Sequence, residues 1–129
     1  MQNFSLFRIK FKLKLKTDLK NMRKEFKLCK VSDIKTGKAK SFKIDDFEIA
    51  IVNLNSNFYA ISNICPHQHT RIVNGSDAII EGENIVCPMH GWSFEIKTGK
   101  PVYGSGRLRT FEVKIKNDEL WLVIEDGQI

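Results

Sequence analysis

In parts of the chain apolar and polar residues alternate with a period of two, the spacing of a β-strand that buries one face, as at Phe111, Val113 and Ile115. The first such run is Phe7-Arg8-Ile9-Lys10-Phe11-Lys12-Leu13-Lys14-Leu15-Lys16, with Phe7, Ile9, Phe11, Leu13 and Leu15 on one face and cations on the other. From Glu25 onward the runs shorten and polar turns separate them. Strands are expected over 25–31, 40–44, 48–54 and 58–62, joined by Ser32 to Gly37, Asp45-Asp46 and Asn55-Ser56-Asn57. Lengths of five to seven residues with tight turns describe an antiparallel meander. Further on, 78–81 and 84–86 flank Gly82 as a hairpin, 92–94 form a short strand, and 97–106 read as a turn and a long glycine-containing loop. A last hairpin, 109–116 and 119–124, turns at Lys116-Asn117-Asp118. No stretch shows a convincing helical period, and no repeat is present. The fold class expected is therefore all-β.

Composition changes this picture little. A chain of 129 residues with 42% hydrophobic positions is one domain with a modest core. No apolar run approaches the roughly 18–20 residues of a membrane span, and charge interrupts the first segment too often for a signal peptide. The expectation is a cytoplasmic monomer without a transmembrane segment.

Net charge matters only once it is divided. The formal +6 resides in residues 1–24, where eight cations face Asp18, and the rest of the chain sums to −1. A near-neutral domain gives no footprint for nucleic acid. For the 1–24 extension three readings stand: an extra edge strand, a basic arm for an acidic partner or anionic lipid, or upstream sequence before a start at Met22.

Two short loops carry the chemistry. Cys65-Pro66-His67 is separated by nineteen residues from Cys87-Pro88-Met89-His90, so the pattern is C-x-H and then C-x2-H. Two thiolates and two imidazoles suit a tetrahedral zinc or a [2Fe-2S] cluster with a histidine pair on one iron. Helical zinc fingers draw like ligands from each half. Here each half supplies one Cys and one His, which lets the thiolates share one iron and the imidazoles the other.

These boxes, with Gly91-Trp92, Phe94, Thr98-Gly99-Lys100-Pro101 and Arg109 to Val113, resemble those of Rieske-type ferredoxins from about Glu25 to Asp126. The resemblance implies an antiparallel β-sandwich or partly open barrel over 25–126, with an inserted cluster-binding subdomain at about 63–104. It implies one [2Fe-2S] cluster, with Cys65 and Cys87 on the inner iron and His67 and His90 on the outer. The chain would then carry single electrons between a reductase and a terminal oxygenase or other redox enzyme, without being an enzyme itself. By the same resemblance the loop from Lys97 to Gly106 covers the third side of the cluster. A small subunit of a nitrite-reductase-like complex is the alternative, weakened because all four ligand residues are present.

High-potential members of the family tie their loops with a second pair of cysteines. Thr70 and Met89 stand there instead, and Trp92 replaces a serine after the ligand histidine and glycine. Fewer hydrogen bonds to sulfur favour the oxidised cluster, so the potential is expected near the bottom of the range of roughly −150 to +300 mV. Met89 and Trp92 are expected to shield the cluster, and His69 to be a solvated loop residue or a contact for a partner or ligand. Arg71, Arg107 and Arg109 read as partner contacts or as solvated surface charge. Cys29 reads as a small buried hydrophobe.

Overall fold

The computed structural model describes residues 23–66, 69–89 and 91–125. Residues 1–22, which hold nearly all of the basic extension, and the expected ligands His67 and His90 lie outside that set.

Among the described residues the elements are almost entirely strands. They are β1 (Arg23–Lys30), β2 (Ala39–Ile44), β3 (Phe47–Leu54), β4 (Asn57–Ser62), β5 (Ile79–Glu81), β6 (Asn84–Val86), β7 (Ser93–Glu95), β8 (Pro101–Tyr103), β9 (Thr110–Lys116) and β10 (Glu119–Glu125). One 3-10 turn, Val31–Asp33, follows β1. Two sheets result: six strands in the order β1-β10-β9-β4-β3-β2, and four in the order β5-β6-β7-β8.

The meander forms because its turns accept left-handed backbone. Asn55 and Ser56 have φ of 54° and 71°, and Asn117 and Asp118 have φ of 52° and 63°. Two consecutive positive values make a tight turn whose twist matches antiparallel strands, and Asn and Asp tolerate it best after glycine. Register follows: Leu54 pairs with Asn57, and Glu119 with Lys116.

The inner strand β3 is buried on both faces. Ala50 and Val52 face a core shared with Ala39 and Ile61, with Ile85 and Phe94 of the smaller sheet, and with Ile72, Val73, Ile96 and Leu108 of the connecting loops. Alternate residues Ile49 and Ile51 are equally inaccessible, as are Leu120 and Leu122 in β10. At the start of β3 Phe47 meets Phe111 of β9 edge to face, with ring centroids 5.1 Å apart. Complete burial of a ring such as Phe94 stabilises the fold by about 1.5–3 kcal/mol. Buried Asn53 fixes the loop before β2, its Nδ2 donating to the Ile34 carbonyl at 2.8 Å while its Oδ1 accepts from the Ser56 N–H at 2.8 Å.

The compact unit spans Phe26–Val123. The outer strand ends belong to a second, smaller unit, in which Arg23 Nε lies 3.8 Å from Glu125 Oε2.

The structure differs from the sequence expectation at 97–106, where Pro101–Tyr103 is strand β8 rather than loop. Proline donates no backbone hydrogen bond and is tolerated at a sheet edge, which is where β8 lies. Its pairing with β7 is irregular, Ser93 opposing Tyr103 and Phe94 opposing Pro101. Trp92, expected in the preceding strand, falls just before β7.

Candidate metal centre

The first loop leaves β4 at Ser62 and is closed at its base by one buried side chain. Asn63 donates through Nδ2 to the Val73 carbonyl at 2.8 Å and accepts the Val73 N–H at Oδ1, also at 2.8 Å. The Asn63 carbonyl accepts the Ile72 N–H at 2.9 Å, and Ile64 and Arg71 form an antiparallel bridge. Within that closure the Cys65 N–H donates to the Thr70 carbonyl, and the His69 N–H to the Cys65 carbonyl, both at 2.8 Å. His69 turns the chain with φ of 55° and is exposed, in keeping with a solvated loop residue. Arg71 is not a free surface cation. Its guanidinium grips Glu48 of β3 with two bonds, 2.6 and 3.2 Å, and holds that carboxyl below the usual range.

The second loop joins β6 to β7. Val86 pairs with Ser93, and the Cys87 N–H donates to the Trp92 carbonyl at 2.6 Å.

Cys65 and Cys87 are both wholly buried, and neither is in a disulfide. They come together, Cys65 lying close enough to Cys87 to act on its thiol, as do Met89 and Thr70. Thr70 Oγ1 lies 3.5 Å from Cys87 Sγ. Burial pushes the Cys87 thiol up, and Thr70 and Met89 pull against it. A neutral thiol is therefore favoured until a cation takes the place of its proton.

The third wall is the segment after Gly99. Gly104, with φ of 102°, lies so close under Trp92 that a Cβ there would overlap the indole ring. Gly106 lies against Pro66, where a Cβ would come within 3.2 Å of Pro66 Cγ. This segment thus touches both sulfur-bearing loops. Met89 does not shield as expected: it is 47% exposed. Val102 and Tyr103 of β8 are also exposed. Trp92 does pack on the core.

Two buried, unpaired sulfurs in mutual reach suit a pair of thiolates on one iron. Cys87 is too deeply buried to serve as a nucleophile for a substrate. Among the described residues no cluster of three His, Cys, Asp or Glu is found, and the two expected imidazoles lie outside them.

A family model for the Rieske [2Fe-2S] domain matches residues 24–125. The chain belongs to the Rieske [2Fe-2S] domain family. Two relatives are 33% identical to it. One is the ferredoxin component of the naphthalene 1,2-dioxygenase/salicylate 5-hydroxylase systems of Ralstonia sp, over 74% of this chain and 90% of the relative. The other is the ferredoxin component of the naphthalene 1,2-dioxygenase system of Pseudomonas putida, over 67% and 83%. Among solved structures, a chain in the complex of reduced oxygenase and oxidised ferredoxin in carbazole 1,9a-dioxygenase is 28% identical, with a TM-score of 0.69 over 76% of this chain and 91% of that one. By these likenesses the Rieske chain is an electron carrier rather than an enzyme, and its cofactor is a [2Fe-2S] cluster. The nitrite-reductase-like alternative is not favoured by relatives of this kind.

Sequence reasoning missed the Thr70 hydroxyl, noting the residue only as the lack of a second cysteine. A hydroxyl five positions after Cys65 was the available signal, but which way it points is set by the facing loop.

Proposed function

We infer that Cys65 and Cys87 bind the inner iron, and His67 and His90 the outer iron, of one [2Fe-2S] cluster in a domain spanning 25–126 with its cluster-binding part at about 63–104. The chain then takes one electron from a reductase and passes it to the oxygenase component of a system like those of its relatives. The observation that carries this reading is the meeting of two buried free sulfurs from two loops, both walled by a third segment.

When bound, the cluster supplies a one-electron couple. The chain's own residues do the rest. Asn63 and the Ile64–Arg71 bridge hold the first loop's base, so that Cys65 cannot swing out. Trp92 and Gly104 close the second loop against the third, keeping water from the sulfurs. His67 and His90 would hold the outer iron as neutral ligands, which would make that iron the less negative end of the cluster and the favoured place for an added electron. Free cysteines at 29, 65 and 87 fit a reducing compartment, and the cytoplasm is the place we assign.

The test is spectroscopic. His67→Ala and His90→Ala are each expected to lose the cluster or to rebuild it with a changed visible spectrum, measured on protein purified without air. An unchanged spectrum in both variants would overturn the ligand assignment.

A further inference from the structure

We propose that Thr70 raises the reduction potential of the cluster by donating its hydroxyl hydrogen to the sulfur of Cys87. This rests on the reading of Cys87 as a ligand, and it names a tuning residue for that same site.

The geometry is direct. Thr70 Oγ1 stands 3.5 Å from Cys87 Sγ across the gap between the two loops, within the reach of a hydrogen bond to sulfur. In the free thiol either atom can donate. A sulfur bound to iron is a thiolate with no proton to give, so the hydroxyl must be the donor. The Thr70 backbone is held independently, since its carbonyl accepts the Cys65 N–H at 2.8 Å. A β-branched side chain on a fixed backbone has few rotamers to choose from. The hydroxyl is thus presented to the sulfur rather than finding it by chance.

The effect has a fixed sign. When a reductase delivers one electron and no atoms, negative charge on the cluster and its sulfurs increases. A hydrogen bond donated to a ligand sulfur strengthens with that charge, so it stabilises the reduced state more than the oxidised one. The Met89 backbone N–H, which also acts to lower the Cys87 thiol, survives any side-chain substitution at position 70. Removing the Thr70 hydroxyl therefore leaves that backbone influence in place.

The experiment is an EPR-monitored redox titration of wild type, Thr70→Ser, Thr70→Val and Thr70→Ala, each assayed for iron and sulfide. Val and Ala are expected to shift the midpoint to more negative potential by the same amount, and Ser to restore it. A Val midpoint equal to that of wild type, with the cluster intact, overturns the proposal. So does a Ser variant shifted as far as Val, which would make side-chain shape the cause. If the hydroxyl-free variants hold no cluster, resonance Raman of wild type decides. An Fe–Sγ band that moves within the mixing time of D2O, faster than a protected amide exchanges, supports the hydroxyl donor, and a band that stays overturns it. Wild-type protein lacking two irons and two sulfides overturns the ligand assignment and this proposal together, whereas an intact cluster with an unmoved midpoint overturns this proposal alone.

Discussion

Asn63 has no part in binding iron, yet it is the residue on which the first loop's closure depends. Its amide satisfies both backbone groups of Val73 in a site with no access to water. Asn63→Leu fills the space but leaves that N–H and carbonyl unpaired, at a cost of about 1–3 kcal/mol for each stranded group. Urea denaturation of the cluster-loaded variant is expected to show a midpoint well below wild type. Residues differ in how plainly the sequence announces them. Cys65 and Cys87 are legible because thiols at that spacing beside histidines have few other uses. Asn63 and Thr70 are not, since an amide or hydroxyl is common in any loop and acts here through partners ten and seventeen positions away. Met89 misleads for a related reason: an apolar residue in a ligand loop suggests shielding, and only the folded chain shows it facing solvent.

At the scale of elements, the loops are stapled to the larger sheet and to one another. Glu48 of β3 holds Arg71 of the first loop, and the pairing keeps the Glu48 carboxyl below its ordinary value. Its contribution to stability is whole above the unfolded carboxylate pKa and is lost as pH falls through the lowered one. Glu48→Gln is expected to be less stable than wild type at neutral pH, with the difference closing in acid when denaturation is followed across pH. On the other side, Gly104→Ala forces a side chain into left-handed backbone, at about 1–3 kcal/mol, and into the Trp92 ring besides. A lowered thermal midpoint with faster bleaching of the cluster in air is expected. The meander from β2 to β4 was readable because short apolar runs bounded by Asn or Asp turns act locally, over a few residues. Strand β8 was not, because glycines around it and Pro101 within it are loop signals, and its single pairing with β7 is set by tertiary placement.

For the whole molecule, near-neutral charge beyond the basic first 24 residues, two sheets around one core, and paired sulfurs where three segments meet all agree with the Rieske family match over 24–125. The family was legible in two short boxes. The 1–24 extension was not assigned by its sequence, and nearly all of it lies outside the described residues. What everything else depends on is the identity of the centre. The measurement that tests it most directly is the low-temperature EPR spectrum of the dithionite-reduced protein, purified without air and assayed for iron and sulfide. A rhombic signal with the low average g of a cluster bearing two thiolates and two imidazoles, at two irons and two sulfides per chain, is the result predicted. A protein that is EPR-silent after reduction and holds one zinc per chain would contradict it.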